Sequence, residues 1–146
     1  MTAKEYLLQI KEWDKSLKRK LEKLEKLKSR STRTTVALGN EGGTGVHKQD
    51  TMEDAIIDYI ELELEIQKDI DEFSQFKLQV SEQIDKLEDQ QQIRVLFYRH
   101  LELLSWKQVA GITNQSIKTC QRLEQDALEN LNKFLVGPVL THLNVI

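Results

Sequence analysis

Cysteine and proline are nearly missing from this chain: one of each occurs in 146 residues, with six glycines and two tryptophans. A lone Cys excludes an internal disulfide framework and a Cys-rich zinc site, and makes a reducing compartment the expectation. A membrane span needs about 18 consecutive apolar residues, and no uncharged apolar run approaches that. The opening stretch, MTAKEYLLQIKEWDK, lacks the continuous apolar core of a secretory signal. Histidine is scarce too. His47, His100 and His142 stand far apart without ligand spacing, so no metal, cofactor or enzymatic centre is expected. Net charge is small, −3 at pH 7, which as an average argues against nucleic acid, whose partners are usually basic.

The charge that is present is unevenly placed. Residues 1–40 hold eleven Lys/Arg against five Asp/Glu, a net of +6; residues 41–90 sum to −11 and residues 91–146 to +2. A basic segment followed by an acidic one predicts that the two pair with each other. Hydrophobic spacing agrees. Ala3, Tyr6, Ile10, Trp13, Leu17, Leu24 and Leu27 alternate at three and four, broken only by Lys20. The acidic segment repeats the rhythm in Met52, Ile56, Tyr59, Ile66, Ile70, Phe73, Val80, Ile84 and Leu87, with Glu63 and Lys77 as interruptions. Such spacing predicts two long helices with a coiled-coil-like seam. Between them Ser29–Gln49 carries four of the six glycines among Ser, Thr and Asn, the composition of a flexible linker. Its Gly39–Gly45 run lacks the Lys-Ser/Thr of a phosphate-binding loop and is read as a hinge. Apolar residues flanking the seam, such as Leu7, Ile57, Ile60, Leu62, Leu64 and Phe76, predict further helices in contact. A homo-oligomer, with a dimer favoured, is the expectation; burial by the C-terminal third in a monomer is the alternative.

From Gln90 the rhythm shortens. Gln91–Leu103 reads as one helix, and Ser105 caps a short second one, Trp106–Ile112. Thr113-Asn114-Gln115 reads as a turn, since Asn tolerates left-handed backbone. Ser116 then caps Ile117–Leu135, whose stripe of Cys120, Leu123, Ala127, Leu128, Leu131 and Leu135 faces inward; Gly137-Pro138 stops it. Two capped helices across a tight turn, with a third completing the core, make a helix-turn-helix. The predicted fold is all-α: a long antiparallel helical hairpin over residues 1–89, with its linker at 29–50, a helix-turn-helix domain over 90–136, and a tail over 137–146.

A recognition helix meets DNA with its N-terminal residues. Opposite the inward stripe lie Ile117, Lys118, Gln121, Arg122 and Gln125. Arg reads guanine and Gln reads adenine through paired hydrogen bonds, and Ile117 can pack on a thymine methyl. Lys118, Lys107 and Arg99 suit phosphates, and Ser116 can cap the helix while its N–H groups face one. An ordinary solvated face is the plainer reading of these residues. Cys120, on the inward stripe, reads as packing, and His100 as an aromatic at the core edge.

The stretch from Arg94 to Ala110, continuing without a gap to Leu128, resembles region 4 of sigma factors of the sigma-70 class. It carries Arg94-Val95-Leu96 and Arg99, then L-S-[aromatic]-x-x-[I/V]-A as Leu104-Ser105-Trp106 with Val109-Ala110. After the turn come S-x-x-T as Ser116 and Thr119, and R-x-x-x-x-A-L as Arg122, Ala127 and Leu128. The family's glycine after the first helix is Leu103 here, its turn glycine is Asn114, its apolar residue after the turn is Gln115, and the Tyr of its Arg-Tyr pair is His100. The whole chain also resembles regulators of the ArpU/RinA type from phages and prophages of low-GC Gram-positive bacteria, including Ala3-Lys-Glu-Tyr-Leu and the linker followed by Met52-Glu-Asp-Ala-Ile56. What these resemblances imply is transcriptional control in a bacterial host cytoplasm by binding double-stranded DNA, with RNA polymerase a further partner by analogy. The alternatives are a small-terminase-like packaging subunit and a non-DNA module binding polymerase or a sigma factor.

Overall fold

The computed structural model describes residues 1–40 and 52–135, with residues 31–40 described in backbone only. The described residues are helical, with no strand among them. Five helices follow in order: α1 (Ala3–Asn40), α2 (Met52–Ile84), α3 (Gln90–Leu96), α4 (Trp106–Thr113) and α5 (Ile117–Asn132). A π-helical turn, Phe97–Leu101, extends α3. None of the helices is long and apolar enough to cross a membrane.

α1 begins at a reciprocal cap. The Glu5 N–H donates to Thr2 Oγ1 and the Thr2 N–H to Glu5 Oε2, both at 3.2 Å, which satisfies two donors that a helix start leaves open. The helix continues through Ser29–Asn40, so the linker expected from residue 29 starts too early and Gly39 is helical. Composition favoured a loop there, but nothing before Asn40 is incompatible with helix, since Pro is absent and Gly costs only about 1 kcal/mol. The remaining glycine-rich residues, 42–45, lie outside the described residues, as does Gly137-Pro138.

Contacts divide the chain into two compact units: Met1–Trp13 with Phe73–Ile146, and Asp14–Glu72. The division cuts both long helices instead of falling at residue 89. In the first unit Ala3, Tyr6, Leu7 and Ile10 are buried, as are Phe73, Phe76, Val80 and Ile84. Tyr6 meets Phe76 edge to face at 5.9 Å, and Trp13 stacks on Phe73 at 5.7 Å; such pairs add about 0.5–1.5 kcal/mol beyond their burial. Burial, with the Glu82 carboxylate nearby, pushes the Tyr6 phenol up to about 12. The N-terminus is tied to α5 by the Ala3 N–H, which donates to Asn132 Oδ1 at 2.7 Å.

In the second unit Leu17, Ala55, Leu62 and Ile66 are buried. The inward row of α2 differs from the expected one. Ile56 and Ile70 are exposed, and the row instead runs Ala55, Tyr59, Leu62, Ile66 and Asp69, continuing into the first unit as Phe73, Phe76 and Val80. Those steps alternate four and three without a slip, which the row through Ile56 could not do without landing on Glu63 and Lys77. Its one charged member, Asp69, is met by the one charged member of the α1 row. Lys20 Nζ hydrogen-bonds Asp69 and lies 3.4 Å from Glu65. That hydrogen bond holds the Lys20 ammonium above its ordinary pKa, against burial, which lowers it. The expected charge pairing of the two segments is realised at Lys20, whereas Lys15, Arg19, Lys23 and Lys26 have no such partner among the described residues.

Candidate nucleic-acid interface

The last three helices are positioned by caps. Asp89 accepts the Gln91 N–H at 2.8 Å to open α3. Ser105 and Gln108 form a full capping box at α4: Ser105 Oγ accepts the Gln108 N–H and Gln108 Oε1 accepts the Ser105 N–H. Ser116 Oγ accepts the Thr119 N–H at 3.1 Å and donates to Thr119 Oγ1 at 2.8 Å, opening α5. Each cap contributes about 1 kcal/mol.

Two residues of the described chain other than glycine have positive φ, Leu103 at 55° and Asn114 at 59°. Both sit at helix-ending corners. The Asn114 and Gln115 N–H groups converge on the Ala110 carbonyl, closing α4. At the other corner the Glu102 N–H reaches Phe97 O and the Leu104 N–H reaches Tyr98 O, both at 3.0 Å, one residue further back than an α-helical end allows. The π-helical turn supplies that extra residue, so the expected unbroken helix to Leu103 ends in a wider turn at Leu101.

Val95 of α3, Val109 of α4 and Cys120 of α5 are fully buried together, with Tyr98, Leu104, Trp106, Ala110 and Leu123 packed around them. Cys120 is a packing residue, as expected, 3.4 Å from Thr113 Oγ1. The polar ties are ones that sequence reading did not find. His100 Nε2 lies 2.9 Å from Glu124 Oε2, and Asn130 Nδ2 donates to Gln92 Oε1 at 3.0 Å. Both cross from the α3 segment to α5 over 24 and 38 residues of chain, a separation that leaves no local spacing signal.

The expected site residues fall into two groups. Ile117, Lys118, Gln121, Arg122 and Gln125 are all exposed on α5, opposite buried Cys120, Ala127 and Leu131. Lys107 is exposed near the start of α4. Among the described residues, Lys107, Lys118, Gln121, Arg122 and Gln125 have no hydrogen-bond or ion-pair partner. Ser116 is spent on its cap. Arg99 departs from expectation as a phosphate ligand: its guanidinium stacks on Trp106 at 4.6 Å and Nη1 donates to Leu104 O at 2.9 Å. It braces the corner before α4. Arg94 likewise donates to a main-chain oxygen, reaching Ile112 O at 3.4 Å at the surface.

Electrostatically this stretch is one-signed. From Leu103 to Leu123 there is no Asp or Glu, while Lys107, Lys118 and Arg122 are present. No group of side chains among the described residues is arranged to hold a metal ion. No protein-family model, curated protein or solved structure matches this chain.

Proposed function

We propose that the chain is a DNA-binding transcriptional regulator of phage type, with a helical hairpin for self-association and a sigma-region-4-like helix-turn-helix formed by α4, the corner Asn114-Gln115-Ser116, and α5. The observation that carries this reading is the row Ile117, Lys118, Gln121, Arg122 and Gln125. It is exposed along the first nine residues of a capped helix, and its polar members lack partners among the described residues. A recognition helix needs its leading residues free in this way. Left-handed backbone at Leu103 and Asn114 adds support, because the sigma-like pattern carries glycine at those two positions.

The test is footprinting and fluorescence anisotropy on promoter fragments at fixed salt, with the mass in solution measured alongside. Gln121→Ala with Arg122→Ala is expected to lower affinity for the protected sequence at least about tenfold, since a paired contact to a base discriminates by about 1–3 kcal/mol. With Lys107, Lys118 and Arg122 as the outward cations, log affinity against log salt is expected to fall with a slope of roughly −3 per module. Unchanged affinity in the double variant overturns the reading face. A ring-shaped assembly assigns the packaging alternative, and no binding at low salt assigns the non-DNA module.

A further inference from the structure

Among the described residues of the second unit, Asp14–Glu72, two outer faces take no part in its packing. On α2, Ile56, Ile57, Ile60 and Leu64 follow at i, i+1, i+4 and i+8 and are 41, 49, 50 and 67% exposed. Single exposed aliphatics are ordinary, but four on one stripe mark a surface that is covered by something. Exposed Asp58, Glu61 and Glu65 stand along the helix beside them. On α1, Lys15, Arg19, Lys23 and Lys26 form an exposed row at i, i+4, i+8 and i+11. None of these four has a hydrogen-bond or ion-pair partner among the described residues.

Charge decides what can cover the apolar stripe. Residues 14–30 sum to +5 and residues 52–72 to −8. A second α2 laid on the stripe opposes −8 to −8; the α1 of a second copy opposes −8 to +5. The chain already uses that pairing internally, where Lys20 meets Asp69 and Glu65. We propose that the stripe Ile56-Ile57-Ile60-Leu64 is a homodimer interface, in which α2 of each copy lies against the basic row of α1 of the other. Two-fold symmetry makes the contact twice and closes the assembly, as a bundle of four helices with alternating sign. The inference rests on the self-association part of the proposed function and not on its DNA-binding part. Its consequence for the latter is a pair of reading helices, suited to an inverted repeat.

The experiment is light scattering on the full chain, with far-UV circular dichroism as the folding control and DNA footprinting on the same samples. The wild type is expected at twice the 17.0 kDa chain mass. Ile60→Lys with Leu64→Lys is expected at the single-chain mass with unchanged helicity, because both side chains stand outside the inward row and would set new cations against the basic row of the other copy. Asp58→Lys with Glu61→Lys is expected to weaken the dimer at least tenfold at low salt, and Arg19→Glu with Lys23→Glu added to it to restore the dimer. A monomeric wild type, a dimer that survives Ile60→Lys with Leu64→Lys, or a dimer tightened by Asp58→Lys with Glu61→Lys alone overturns the proposal; the last is the mark of α2 against α2. A monomer that still protects DNA removes the dimer and leaves the DNA reading. A dimer that protects nothing does the reverse.

Discussion

Leu103 holds a backbone conformation that its side chain opposes. At φ 55° a residue with a Cβ costs roughly 1–2 kcal/mol relative to right-handed backbone, a penalty glycine escapes. Asn114, at φ 59°, bears less of it because Asn is one of the residues that visit this region. Leu103 is half-buried, so truncation also loses some packing. Leu103→Gly is therefore expected to stabilise the chain by up to about 1 kcal/mol, read as a raised midpoint in thermal unfolding; a fall of the midpoint refutes strain at this corner. The same residue shows what sequence can and cannot disclose. In sequence Leu103 is an ordinary apolar residue, and only the backbone reveals that it adopts a conformation glycine would favour. Arg99 teaches the opposite lesson. Its charge reads as a phosphate ligand in one dimension, and its stacking on Trp106 is visible only in three.

Among the elements, α1 and α2 carry a heptad row each, and each row contains one charged residue at a matched height, Lys20 and Asp69. Polar groups at seam positions fix register at some cost in stability, and a half-buried pair contributes little net stability compared with well-packed apolar residues. Lys20→Leu with Asp69→Leu is expected to leave the midpoint unchanged or raised. Lys20→Leu alone is expected to lower stability by about 1 kcal/mol or more, because it strands the Asp69 carboxylate among apolar neighbours. Thermal melts of the single and double variants decide; equal loss in both refutes a register role. The existence of both rows is legible in the sequence, since a 3–4 rhythm without proline admits little except helix. The phase of α2 is not, because Ala55 and Ile56, or Ile70 and Asp69, are adjacent candidates. Hydrophobicity chooses Ile56 and Ile70, and the structure chooses Ala55 and Asp69, where a partner lysine is waiting.

At the scale of the molecule, sequence composition suggests a domain edge near residue 90, yet Met1–Trp13 and Phe73–Ile84 belong to the same compact unit as α3 to α5. Ala3 bonded to Asn132 joins the two ends of the described chain. A fragment beginning at residue 90 is accordingly expected to lose cooperative thermal unfolding, measured by circular dichroism, whereas a fragment that melts as one sharp transition refutes the shared unit. The net charge of −3 also changes meaning at this scale. It averages an acidic α2, a basic α1 and a short acid-free stretch whose outward cations are few, so the proposed DNA affinity per module is modest and the proposed dimer would add to it.

Local chemistry was enough to place the helices, the caps at Ser105 and Ser116 and the exposed row on α5, though not the ends of α1 and of the α3 segment, because capping, period and turn chemistry act over four or five residues. The main-chain partners of Arg94 and Arg99, His100 paired with Glu124, the row of α2 that faces in, and the docking of the N-terminus on the last helix were decided only by the tertiary structure. Each depends on which distant side chain arrives within about 3–5 Å, the reach of hydrogen bonds and ring contacts, and no spacing along the chain encodes that distance.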